Sequence, residues 1–218
     1  GESFCSPTIA AIAGAGFAGL CLANVQEGST ATTFTQELES LAAFGQATWN
    51  INKTWSTTVG LRWTDDQKVG DYINVLNNPA AALFSTNEAA LGMEQDDSKT
   101  TWFTNVNWYV TEDMMLFATA STGYKSGGFN SQSGGSVPLE DKRIFGPEET
   151  TNYELGVKST LLDDSMTANI TLFRMDVDDF QDRAFDGLSF VVINAGELRQ
   201  QGVEADINWA PIEALRIV

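Results

Sequence analysis

Histidine is absent from the 218 residues, which removes the commonest general base and the commonest zinc ligand. Basic residues are scarce as well: 12 Lys+Arg stand against 29 Asp+Glu, a net charge of −17. Binding to nucleic-acid phosphates needs clustered Lys and Arg, so that class of function is excluded. No apolar run is long enough for a membrane-spanning helix. The best stretch, Ile9 to Ala23, is 15 residues broken by Gly14, Gly16 and Gly19, against the ~20 that a helix requires. No secretory leader is legible, because the first basic residue is Lys53 and nothing supplies a charged n-region. Cysteine is limited to Cys5 and Cys21. In an exported chain they could close a 17-residue ring, worth about 3 kcal/mol of loop-closure entropy; otherwise they are two buried thiols.

What is present points elsewhere. Nineteen Gly and 11% aromatics, in an acidic chain with only 19% charged residues, suit a β-barrel better than a helical enzyme. The chain starts at Gly1, and Leu215 to Val218 reads as the opening of a strand, so the sequence reads as a fragment of something longer.

Segments of about ten residues alternate with period two, the mark of strands with two unlike faces. Trp55, Thr57, Val59, Leu61 and Trp63 oppose Ser56, Thr58, Gly60, Arg62 and Thr64. The segment before it repeats the design, with Leu41, Ala43, Ala47, Trp49 and Ile51 against Phe44, Gln46, Thr48 and Asn50. Only Asn52, Lys53 and Thr54 lie between them, a hairpin-sized turn. Matching pairs flank 111–113 and 162–165, and a last strand around Val203 to Trp209 ends at a turn over 210–213. Beyond Phe173 the alternation slips, which predicts a bulge or the end of an embedded segment.

A soluble sandwich and a transmembrane barrel both alternate in this way, and three features separate them. Strands near ten residues suit a tilted membrane crossing. Aromatic residues fall near strand ends (Trp49, Trp55, Trp63, Trp102, Trp108, Tyr124, Tyr153, Trp209), as interfacial girdles require. The short turns alternate with long loops at about 65–99, 125–149 and 179–194, the layout of outer-membrane barrels. The expected fold class is therefore all-β, a partial transmembrane antiparallel β-barrel of about eight strands. On this phase Arg62, Glu154, Lys158, Glu204 and Asp206 all point into the lumen. Acidic clusters at Asp65–Asp66, Glu94 to Asp97 and Asp176 to Asp179 read as solvated loop surface, since no ordered ligand spacing supports a calcium site.

Ser121-Thr122-Gly123-Tyr124-Lys125-Ser126-Gly127-Gly128-Phe129-Asn130 resembles a signature in the barrel of TonB-dependent outer-membrane receptors. Three further stretches are similar to that family in order and spacing: Ala43 to Thr48 with Gly60 to Thr64, Phe145 to Ser159, and Asn194-Ala195-Gly196 followed by Gly202-Val203-Glu204. The resemblance covers residues 35–218 as barrel, and residues 1–34 would belong to a preceding extracellular loop. It implies a barrel of about 22 strands around an N-terminal plug domain, with the plug, the TonB box and the closing strand lying outside this sequence.

The resemblance also implies active uptake of a scarce nutrient, most often a ferric siderophore, energised through the plug by TonB–ExbB–ExbD. The site would be the outer membrane of a Gram-negative bacterium, in contact with lipid and lipopolysaccharide, with no catalytic residue, no metal site and no cofactor. Ligand recognition would fall to aromatic and Arg side chains of the long loops: Tyr72, Phe84, Phe129, Arg143, Phe145, Arg183 and Phe185. Two other classes compete. A passive porin-type channel would share the alternation but carry no plug. An all-β enzyme or lectin would need a carboxylate pair in a cleft, and Glu148 and Glu149, adjacent on a strand, point to opposite faces.

Overall fold

The computed structural model describes residues 30–77, 85–131, 143–185, 190–212 and 214–218. Its strands, in chain order, begin with β1 (Thr30–Asn50), β2 (Trp55–Leu76), β3 (Glu88–Tyr109) and β4 (Met114–Lys125). Next come the two-residue strands β5 (Gly128–Phe129) and β6 (Ile144–Phe145), then β7 (Glu148–Leu161) and β8 (Met166–Asp178). The series ends with β9 (Gln181–Phe185), β10 (Phe190–Asn194), β11 (Leu198–Ile212) and β12 (Leu215–Ile217). Eight of these form one sheet in the order β1-β2-β3-β4-β7-β8-β11-β12, every pair antiparallel, and β5–β6 and β9–β10 are small hairpins of their own. This is a meander that curves without closing, as expected of one part of a larger barrel.

The two faces of the sheet are chemically opposite. The cross-strand row Leu155, Leu172 and Val203 is 56, 50 and 66% exposed, a composition that water would penalise and lipid would not. Trp55 and Trp108 stack at the turn end of the same face, ring centroids 5.4 Å apart and 4° from parallel. Trp63 lies eight positions along β2, about 19 Å higher on a strand tilted by ~45°. These rings mark the two rims of an apolar belt. The other face carries Asn105, Asn107, Thr119, Asn152, Glu154, Lys158, Thr171 and Glu204, which line a recess of ≈ 830 Å³.

Three phenylalanines on this inner face each cover a cross-strand glycine: Phe103 over Gly60, Phe117 over Gly156 and Phe173 over Gly202. A ring fills the place of the missing side chain, so each pair packs as one unit. The short turns fall at 51–54, 110–113 and 162–165, as the alternation predicts. In the last of these, Leu162, Asp163 and Asp164 all have φ between 53 and 66°, a left-handed run that only a tight turn imposes.

The long connections are shorter than the sequence reading has them. β2 and β3 are 22 residues each, about twice a membrane crossing, and stay paired well above the belt, so only 77–87 separates them. Likewise β1 starts at Thr30, and 181–185 pairs with 190–194 inside the expected loop 179–194. With solvent on both sides the hydrophobic alternation vanishes while the backbone ladder persists. Of the two readings of the slip after Phe173, a bulge or the end of an embedded segment, the bulge is absent: β8 stays in register with β11 from Met166 to Val177. What changes there is polarity, with Arg174 and Asp176 taking the outward face above the belt. The bulges in the main sheet lie elsewhere, between Gly70 and Tyr72 against β3 and between Trp209 and Ile212.

Candidate functional site

The bulge in the β2–β3 pair builds a small core above the membrane. Gly70 faces Met93 and Tyr72 faces Ala90, so β3 carries one extra residue, and Gly92 absorbs it at φ +64° while its N–H donates to Asp71 (2.8 Å). The phase shift turns Ala90 and Met93 to the same side as Tyr72, where Phe129 joins them and Phe34 and Ile144 pack against the edge. Arg143 lies on this core. Its guanidinium sits 3.3 Å from the Tyr72 ring centroid and grips Glu88 with two bonds of 2.7 and 2.8 Å.

Three of the stretches singled out by sequence, 121–130, 145–159 and 194–196, meet beside this core and hold one another. Lys68 of β2 donates to Ser126 Oγ (2.7 Å) and to the Gly127 carbonyl, while the Gly127 N–H donates to Asp97 (2.8 Å). A Cβ on Gly127 would sit 2.4 Å from the Phe145 carbonyl, so this contact requires glycine. Gln181 donates from its amide to the Ser126 and Gly146 carbonyls (3.2 and 3.0 Å) and from its backbone to Glu148 (2.8 Å). Asn194 accepts from Gly146 N–H (2.7 Å) and donates to the Gly146 and Asp179 carbonyls (3.1 and 2.8 Å). Asn130 donates to the Val192 carbonyl (2.9 Å) and accepts from its N–H (2.7 Å), adding a side-chain rung to β10.

Tyr124 donates to Asp66 across the same rim, and Ser40 donates to the other carboxylate oxygen. Burial pushes the Asp66 carboxyl up, but the bonds from Ser40 and Tyr124 and the Lys68 charge outweigh it and hold the group below its ordinary 3.8. Tyr124 moves the other way, far above 10.0, through burial first and then through its bond to Asp66 and the nearby carboxylate charges. A depressed carboxylate adds stability above its unfolded value and loses it as pH falls through the folded one. A raised phenol adds stability below its unfolded value and loses it as pH rises. Tyr124→Phe is therefore expected to remove this phenol's contribution to the alkaline limb of the stability–pH profile and part of the Asp66 contribution to the acid limb. Denaturant midpoints across pH measure this, and an unchanged profile would show that the pair contributes nothing.

A family model described as TonB dependent receptor-like, beta-barrel, matches residues 11–217. The chain belongs to that family. Its place is the Gram-negative outer membrane, and the apolar belt is its lipid face. The pesticin receptor of Yersinia pestis is 25% identical over 174 residues, covering 78% of this chain and 24% of that protein. The solved ferric yersiniabactin uptake receptor FyuA from Yersinia pestis superposes with a TM-score of 0.68 at 21% identity, over 84% of this chain and 26% of that one. The siderophore receptor PiuA from Acinetobacter baumannii gives 0.60 at 19% identity, over 83% and 24%. The chain thus spans about a quarter of the length of these relatives.

The predicted site residues divide into groups. Tyr72 (0% exposed), Phe129 and Arg143 are packed into the core above the membrane and present no surface to a ligand. Phe145 is half-buried beside Gly128. Arg183 and Phe185 are exposed on the β9–β10 hairpin, where Phe185 meets Phe190 at 5.2 Å. Phe84, Cys5 and Cys21 lie outside the described residues. Of the inner charges, Glu154, Lys158 and Glu204 share the recess; Lys158 sits over the Phe117 ring and Glu154 accepts from Asn152 (2.8 Å). Arg62 lies over Phe44 and donates to Thr64 (3.1 Å), and Asp206 accepts from Asn208 (3.1 Å). Sequence reasoning missed the partners: Asn130 and Asn194 stood inside the quoted motifs with no role assigned to them, and Glu88 carried no signal.

Proposed function

We propose that this chain is the later part of the barrel of a receptor that imports a scarce nutrient, a ferric siderophore complex. The energy comes from TonB–ExbB–ExbD acting on a plug domain encoded ahead of it. The observation that carries this reading is the family match over nearly the whole chain, supported by similarity to a ferric yersiniabactin uptake receptor and to a siderophore receptor. The polar recess with Glu154, Lys158 and Glu204 is the surface that the plug would cover.

Ligand contact falls to the β9–β10 hairpin. Arg183, Phe185 and Phe190 share one hairpin face, since Phe185 pairs with Phe190 and Arg183 with Val192. Phe185 and Phe190 are each 60% exposed. Arg183 has no carboxylate partner among the described residues, whereas Lys99, Arg143, Arg174 and Arg199 are ion-paired. A guanidinium with no carboxylate partner among the described residues, beside two open rings, fits an anionic, partly aromatic chelate.

The test is radioactive-iron uptake by cells carrying the full-length receptor under iron limitation. Uptake is expected to stop when TonB is removed, and uptake that continued without TonB would indicate a passive channel. Arg183→Ala and Phe185→Ala are each expected to weaken ligand binding by about 1–2 kcal/mol, roughly five- to thirtyfold. Unchanged affinity in both would remove the hairpin from the ligand site.

A further inference from the structure

We propose that Glu88, Arg143 and Asn130 form a positioning relay that fixes the β9–β10 hairpin to the long β2–β3 hairpin across the outer rim. The contacts run in series. Glu88, the first residue of β3, holds the Arg143 guanidinium with two bonds, and both side chains are more than nine-tenths buried. Arg143 Nη1 donates to the Asn130 carbonyl (3.0 Å), and the Asn130 N–H returns a bond to the Arg143 carbonyl (2.7 Å). The Asn130 side chain then takes both backbone groups of Val192. Glu88 stands at the base of the 77–87 connection, Asn130 and Arg143 flank 131–142, and Val192 is three residues past 186–189. One chain of contacts therefore ties the bases of three outer connections.

The chemistry of the link explains its form. An apolar pair at 88 and 143 would fill the same space but would tolerate sliding, because dispersion has little direction. A bidentate guanidinium–carboxylate fork fixes both distance and plane, and the Tyr72 ring below leaves the fork one orientation. A buried ion pair adds little net stability, so specification of geometry is the better account of its presence. Val192 pairs with Arg183 and lies two residues from Phe190, so the position fixed by Asn130 is inherited by the exposed rings and guanidinium. Arg143 is thus a positioning residue and not a ligand contact. The relevance to ligand binding rests on the uptake reading above, but the mechanical coupling does not.

The experiment is amide hydrogen exchange on the full-length receptor in detergent, without ligand, so that its outcome is independent of what the receptor transports. Asn130→Ala and Glu88→Gln are each expected to speed exchange over 190–194 by about tenfold while leaving 152–161 in β7 unchanged. The double variant is expected to match Asn130→Ala alone, because the two act through one path. The swap Glu88→Leu with Arg143→Met keeps the volume without the fork; it is expected to fold with the same midpoint yet leave 190–194 fast. Protection of 190–194 in the swap would mean that packing alone does the work and would overturn the proposal. So would additive effects in the double variant, or acceleration that extends to 152–161.

Discussion

Leu172→Arg is expected to destabilise the full-length barrel by about 2–4 kcal/mol, whereas Thr171→Arg, one residue away, is expected to stay within about 0.5 kcal/mol. The contrast follows from the period of a strand. Leu172 lies six positions above Met166, about 14 Å up a tilted strand and so near the middle of the belt, with Leu155 and Val203 beside it. A guanidinium there has no water and no partner. Thr171 lines the polar inner recess opposite Glu204, where a new cation meets a carboxylate and other polar side chains. Urea midpoints of both variants in bilayers decide the matter. Equal penalties would mean that the two faces are not in different media, and the membrane assignment would fall.

Gly156→Ala is expected to cost about 1–3 kcal/mol, against the modest gain that alanine usually brings to an unhindered strand position. A Cβ at Gly156 would come within 2.5 Å of the Phe117 ring and 2.7 Å of the Ile170 carbonyl. The ring can tilt, but the carbonyl belongs to the β7–β8 ladder and cannot move without breaking it. Gly202→Ala meets only the Phe173 ring, at 3.1 Å, and is expected to cost less than half as much. Adding Phe117→Ala to Gly156→Ala is expected to recover only part of the loss, since the carbonyl contact remains. Full recovery would show that the ring alone excludes a side chain. A neutral Gly156→Ala would show that Phe117 does not occupy the glycine in the folded barrel.

The belt was legible because lipid and lumen impose opposite chemistry on alternate residues, and a run such as Trp55 to Thr64 records both. The turns at 52–54 and 111–113 were legible for the same reason, as polar breaks between alternating runs. The upper halves of β1, β2 and β3 were not, because Glu37, Asp65, Asp71 and Asp96 stand where water bathes either face. Alternation fades there although pairing continues from Asp65–Ser98 to Gly70–Met93. Tyr72, Phe129 and Arg143 were marked as ligand-gripping by residue type alone, and residue type does not say whether a loop side chain is open or packed. The deciding feature was the extra residue at Gly92, which swings Ala90 and Met93 under Tyr72 and makes a core where a binding surface was expected. Glu88 was invisible for a simpler reason: one carboxylate in an acidic stretch does not announce a buried partner.

The uptake reading proposed above requires the β9–β10 hairpin to lie outside the cell and the short turns inside. Site-directed labelling tests it directly. In the full-length receptor with Cys5 and Cys21 replaced by serine, single Phe185→Cys and Lys53→Cys variants are treated on intact cells with a membrane-impermeant maleimide. Phe185→Cys is expected to label at once, and Lys53→Cys only after the outer membrane is permeabilised. The reverse pattern, or equal labelling of both on intact cells, would contradict the orientation and with it the assignment of the rim as the ligand-facing side.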